Sequence, residues 1–143
     1  MESERIAEQV RRRVLEDHGD VVSETVRCAD RVASGWSGDS TDDRREVTRP
    51  LSSCLRRHGL LKEYVTVLID SADAAGYNLP AEPVPSPPYV VVTSTGLLLR
   101  ATLPVGRLLV RFHLFDVDRE PAPRYVRRDC SPEDVLEVTL CDP

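Results

Sequence analysis

The chain has 143 residues, 41% of them hydrophobic and 30% charged, with a net charge of −5; this suits one domain with a real core and excludes a disordered chain. No apolar run approaches the ~18 residues of a membrane span, and the charged start Met1-Glu2-Ser3-Glu4-Arg5 lacks the apolar centre of a secretory signal, so a cytoplasmic protein is expected. Residues 1–88 hold 12 basic and 16 acidic side chains and residues 89–143 hold 7 and 8, so neither half carries the basic excess that duplex nucleic acid demands.

Residues 4–18 read as a helix, because Ile6, Val10 and Val14 recur every four residues with Leu15 beside them. Gly19 is a natural stop, and Asp20 is placed to cap a second helix striped by Val22, Val26, Ala29, Ala33 and Trp36. So short a turn predicts that these two helices are antiparallel neighbours. After a loop over 35–39, Ser40 or Thr41 is the expected cap of a third helix, with Asp42 and Asp43 at its positive end. Pro50 is expected to break or kink that helix, and the pattern resumes through Leu51, Cys54, Leu55 and His58. Gly59 looks like a left-handed C-terminal cap. A fourth helix over 60–75 is lined by Leu60, Leu61, Tyr64, Val65, Leu68, Ala72 and Ala75, and Gly76 ends it.

Five prolines between residues 77 and 88 rule out both a helix and a central strand there. The segment reads as an extended connector laid against the domain rather than a linker between modules, since 55 residues of mostly β structure make a marginal domain alone. From Tyr89 the hydrophobic period changes from 3.6 to 2, giving strands over 89–95, 97–103 and 107–117, with Gly96 in the first turn and Pro104-Val105-Gly106 in the second. Pairing Leu103 with Leu108 places Leu97, Leu99, Ala101 and Leu103 on one face with Leu108, Val110, Phe112 and Leu114. Leu98, Arg100, Thr102, Leu109, Arg111, His113 and Phe115 then share the mixed outer face. A short strand from Tyr125 to Arg128, a helical turn after Ser131-Pro132-Glu133-Asp134, and a last strand through Leu136, Val138 and Leu140 complete the pattern.

Three stretches, Pro87-Pro88-Tyr89-Val90-Val91-Val92-Thr93-Ser94, Gly106-Arg107-Leu108-Leu109-Val110-Arg111-Phe112 and Arg124-Tyr125-Val126-Arg127-Arg128, resemble a family of small uncharacterised haloarchaeal proteins. The resemblance implies organism and cytoplasm, and carries no activity. Eighteen arginines against the single Lys62 suit such a source; a G- and C-rich genome explains the bias.

Four constellations have chemical potential. Cys54 and His58 lie at i and i+4 on one helical face, and Cys28 on the preceding helix makes a third potential metal ligand. The plainer reading is a buried thiol and a histidine favoured at a helix C-terminus, so no metal site is expected. The four cysteines form no CxxC pair and are read as thiols, mostly buried; cysteine catalysis would need His18, His58 or His113 as base, and nothing in the spacing fixes that geometry. Asp116, Asp118 and Glu120 alternate and share a face if extended, which suits Mg²⁺ or Ca²⁺, but is equally the pattern of a strand leaving a sheet into water, the preferred reading. Arg11-Arg12-Arg13 and Arg44-Arg45 sit among acids, as on a solvated face. Arg100 and Arg111 fall opposite each other in the expected register, with His113 and Thr102 near; an anion between the like charges is the sharper reading, and pairing with helix carboxylates such as Asp70 or Asp73, or divergence into solvent, is the preferred one.

The pattern therefore predicts one α+β domain over 1–143: N-terminal helical hairpins of about four helices (1–76), a Pro-rich connector (77–88) and a β-rich part (89–143) forming an antiparallel meander of three to five strands. A non-enzymatic interaction or accessory protein with an unidentified protein partner is expected. The alternative is a small-anion or nucleotide binder using Arg100, Arg111 and His113, and weak nucleic-acid binding is the least supported. No catalytic residue and no cofactor is expected.

Overall fold

In a computed structural model, which describes residues 2–129 and 131–142, the helices come first and antiparallel sheets follow. The helices are α1 (Glu2–Asp17), α2 (Gly19–Ser34), α3 (Arg45–Arg57) and α4 (Leu60–Ala74), with a one-turn α5 (Pro132–Val135) near the end. Seven strands among the described residues form two sheets, where one meander of three to five was expected. One has four strands in the order β2 (Val90–Thr93), β3 (Gly96–Leu103), β4 (Gly106–His113) and β7 (Leu136–Cys141). The other has three, in the order β1 (Ser40–Thr41), β6 (Arg124–Arg127) and β5 (Phe115–Asp118).

The helix boundaries follow local chemistry. Gly59 and Gly76 both have positive φ, 70° and 93°. After α4, the Tyr77 N–H bonds Ala72 O at 3.0 Å and the Gly76 N–H bonds Asp73 O at 2.9 Å, the paired closure that a left-handed glycine permits. The first two helices do not form the expected hairpin. His18 alone separates them, and the bonds His18 N–H to Val14 O and Val22 N–H to His18 O (2.9 and 3.1 Å) leave no loop to reverse the chain. Instead α1 packs on α4 and β7, and α2 packs on α3. Arg13 and His18 fasten α1 to α4 through Asp70, at 2.7 and 2.8 Å.

Pro50 does not interrupt α3, which runs through it. A proline inside a helix leaves the carbonyl four residues earlier without its donor, and that carbonyl is Glu46 O. Trp36 Nε1 donates to Glu46 O at 3.0 Å, so an indole from the end of α2 replaces the missing bond. Ser40 and Thr41 are drawn into pairing with β6 and do not cap α3 as expected. Asp43 takes that role, its Oδ1 accepting the Arg45 N–H at 2.9 Å.

The expected facing of the strands holds, but the register differs by two residues. Leu103 pairs with Gly106, not Leu108, because Gly106 joins the strand and Pro104-Val105 alone forms the turn. Gly106 has φ 150°, and a Cβ there would lie 2.0 Å from Cys141 O on β7, so glycine is what lets the edge strand approach. Leu97, Leu99, Ala101, Leu103, Leu108, Val110 and Phe112 are buried against the helices. Tyr64 of α4 meets Phe112 with ring centroids 4.9 Å apart. A buried apolar cluster thus joins residues of both the helices and the sheets. Phe115, expected on the outer face, is fully buried and packs against Trp36 at 5.8 Å, because the chain changes sheet at Leu114.

Candidate functional site

The outer face of the four-stranded sheet carries the residues expected to bind an anion. Alternation sends Val91, Leu98, Arg100, Thr102, Arg107, Leu109, Arg111 and His113 to this side, with Glu137 and Thr139 beside them on β7. Val91, Leu98 and Leu109 are half-buried, forming an apolar floor among charged neighbours. Arg100 and Arg111 do not face each other as expected. The two-residue difference in register pairs Arg100 with Leu109 and Arg111 with Leu98, leaving the arginines diagonal across the sheet. Nor do Asp70 and Asp73 reach them, since both carboxylates pair with Arg13 of α1. Arg111 lies 3.3 Å from Glu137, and His113 lies 3.4 Å from Asp116. These two share a shallow recess with Thr93 and Thr95, whereas Arg100 lines a separate cavity of about 180 Å³ with Tyr89, Thr102 and prolines of the connector. Arg100 Nε is buried and, among the described residues, has no hydrogen-bond partner.

A second cluster lies between α2 and α3. Cys28 comes from the middle of α2, and Cys54 and His58 from successive turns at the end of α3. Cys28 Sγ, Cys54 Sγ and a ring nitrogen of His58 lie within 4.8 Å of one another. Both thiols are buried and the imidazole is exposed at the rim. Burial, followed by hydrogen bonding to Cys54, pushes the Cys28 thiol up to about 12. Arg31, one turn past Cys28, places Nη1 3.1 Å from His58 Nε2 and 3.7 Å from Cys54 Sγ. A guanidinium only donates, so Nε2 accepts, and the ring proton sits on Nδ1, which donates to Cys54 O at 2.9 Å. That last bond is the helix C-terminal role expected of His58. Arg31 also borders a cleft of about 470 Å³ lined by Trp36, Asp43, Arg45, Glu46, Arg49 and Pro50.

The family model described as Domain of unknown function (DUF7988) matches residues 8–141. The chain belongs to this family. No curated protein and no solved structure matches it.

The remaining candidates of this DUF7988 chain are dispersed. Among the described residues, the one group of three close metal-ligating side chains is Cys28, Cys54 and His58; Asp116, Asp118 and Glu120 are exposed, with Asp118 near Arg124 at 3.7 Å. Cys130 lies outside the described residues, and Cys141 is exposed. His18 and His113 each face an aspartate. Arg11 donates to the carbonyls of Glu133 and Leu136, tying α1 to the last strand. Arg127 bonds Asp30 and Leu114 O, and Arg128 bonds His113 O. Arg11 and Arg13 of the first arginine run and Arg45 of the second are thus engaged within the fold. Phe112, Phe115 and Tyr125 are buried rather than presented for base stacking. Among the described residues, no helix is long and apolar enough to cross a membrane. Arg31 and Glu24, which border the thiol cluster, were not legible as site residues; their signal is the spacing 24, 28, 31 along one face of α2.

Proposed function

We propose that this DUF7988 chain is a non-enzymatic interaction protein of a haloarchaeal cytoplasm, and that the open sheet face receives an acidic segment of a partner protein. The observation that carries this is a reversal of charge. In a chain of net charge −5, this face presents Arg100, Arg107, Arg111 and His113 against Glu137, over the floor of Val91, Leu98 and Leu109. The other face of the same sheet is closed by helices. At 1 M salt the screening length falls to about 3 Å, so only direct arginine–carboxylate pairs and apolar burial hold a complex together there. Both are on offer at this face.

A tagged pull-down at native salt, split with and without nuclease and compared with an Arg100→Glu, Arg111→Glu double variant, tests the proposal. A stoichiometric protein that survives nuclease and is lost from the folded variant supports it. A partner retained by the variant, or none at all, refutes it.

One observation favours a second reading. The buried, unpartnered Nε of Arg100 beside Tyr89 and Thr102 fits a small oxyanion in the cavity of about 180 Å³. Inorganic phosphate should then raise the melting temperature of the parent and not of Arg100→Ala.

A further inference from the structure

The cluster between α2 and α3 carries an inference independent of the sheet face, since the two share no residue. Tetrahedral zinc with Zn–S bonds of ~2.3 Å and Zn–N bonds of ~2.0 Å needs ligand atoms about 3.5–3.8 Å apart. Cys28 Sγ, Cys54 Sγ and a His58 nitrogen are already within 4.8 Å of one another. Cys28 and Cys54 stand on two packed helices and His58 caps the end of the second, so small side-chain rotations close the remaining gap. His58 has its Nδ1–H fixed on Cys54 O at 2.9 Å. The same Nδ1 lies 3.8 Å from Cys54 Sγ, so it can ligate by giving up its bond to Cys54 O; in the metal-free chain the free lone pair is on Nε2.

What faces that lone pair is itself a cation. Arg31 Nη1 is 3.1 Å from Nε2 and 3.7 Å from Cys54 Sγ, and its charge also acts on Cys28. The guanidinium therefore addresses all three groups at once. Its side chain is exposed and rooted at the cluster rim, so it can swing aside. Glu24, one turn before Cys28 on the same helix, lies outside the group whose ligand atoms are within 4.8 Å of one another, so it reaches the ion only by a side-chain rotation. Its Oε2 is buried and has no partner among the described residues, although Oε1 is held by Arg27 at 2.6 Å. The charge of Glu24 acts on both Cys28 and Arg31.

We propose that Cys28, Cys54 and His58 bind a thiophilic divalent cation of the zinc class, that Glu24 completes the tetrahedron, and that Arg31 occupies the position in the metal-free chain. Binding releases the two thiol protons to solvent. Two thiolates and one carboxylate then exceed the charge of the ion by one. Arg31, displaced but still adjacent, balances that excess and donates to the sulfurs.

Reduced, chelator-treated protein titrated with Co²⁺ alone tests this. The expected result is an intense visible spectrum of tetrahedral cobalt with a thiolate-to-metal charge-transfer band, saturating at one equivalent and abolished by one equivalent of Zn²⁺. A Cys130→Ser, Cys141→Ser double variant should keep the spectrum, which excludes the other two thiols as its source. His58→Gln changes only an exposed side chain and should fold; its affinity should fall at least about a hundredfold, since even outer-shell losses cost ten- to a hundredfold. Glu24→Gln should weaken binding while preserving the charge-transfer band. Alkylation followed by mass spectrometry gives a readout in the parent chain, where Zn²⁺ should protect Cys28 and Cys54. A weak octahedral spectrum, a spectrum lost in the Cys130/Cys141 variant, or a His58→Gln variant with parental affinity would overturn the site. Parental affinity in Glu24→Gln would remove Glu24 from the ligand set.

Discussion

The two faces of the four-stranded sheet obey different rules. On the covered face, Leu97, Leu99, Leu108, Val110 and Phe112 are at most 1% exposed. The polar groups in the layer above them are paired: Tyr64 with Thr25 at 2.6 Å, and Ser71 with Val67 O at 2.7 Å. On the open face, arginines alternate with half-buried leucines, and Arg100 Nε is left unsatisfied. The other buried side-chain polar atom without a partner among the described residues is Glu24 Oε2, on α2 one turn before Cys28. Folding tolerates few such atoms, because each costs roughly 1–3 kcal/mol. Neither falls in the layer that closes the sheet, so the part of the molecule that holds the fold is the part whose polar groups are satisfied.

The sharpest way to break this contrast is to truncate one large side chain on each face. Phe112→Ala should destabilise by about 3–5 kcal/mol, as a cavity under Tyr64 cannot collapse. Leu109→Ala on the open face should cost less than about 1 kcal/mol. Equal losses in denaturant unfolding would show that the outer face is covered too.

Next in size is Trp36→Phe. It should cost about 1–3 kcal/mol by stranding Glu46 O. In a Pro50→Ala background the alanine N–H can take over that carbonyl, so the same substitution should cost measurably less. Additive effects would mean that the indole contributes only packing.

Tyr64→Phe should cost about 1 kcal/mol at neutral pH. Thr25 spends its own proton on Val21 O at 2.8 Å, so the tyrosine is the donor in their bond. Burial raises the Tyr64 pKa above its ordinary value of 10.0. The unfolded chain therefore releases this proton first as the solution becomes alkaline. The contribution is intact below about pH 10 and is lost as pH rises beyond it. The parent should lose stability there more steeply than Tyr64→Phe; parallel slopes would place the phenol in contact with water.

The smallest effect belongs to the open face. A double-mutant cycle on Arg111 and Glu137, 3.3 Å apart and both substantially exposed, should give about 0.2–1 kcal/mol and fade with salt. A larger, salt-resistant coupling would indicate that this face is shielded from solvent.

Features that depend on near neighbours along the chain are legible in the amino-acid sequence. Gly59 and Gly76 end helices because a left-handed residue closes the last turn, and strand alternation decides which side chains share a face. Features that depend on distant segments are not legible there. The two-residue turn at Pro104-Val105 preserves facing but moves Arg100 away from Arg111. β1 exists only because β6 pairs with it, and Trp36 supports Pro50 from the loop after α2. The i, i+4 relation of Cys54 and His58 is readable, whereas the approach of Cys28, Arg31 and Glu24 depends on how α2 lies on α3.

By itself, the sequence determined the α-then-β order, the left-handed glycine closures at Gly59 and Gly76, the facing of β3 and β4 and the turn from α4 into the proline connector, because these follow from periods and caps spanning a few residues. Only the tertiary structure decided that α1 pairs with α4, that the chain changes sheet at Leu114, that Arg100 and Arg111 part company, and that two thiols and an imidazole meet. Those outcomes rest on which surfaces bury one another at long separation, and short-range pattern carries no information on that choice.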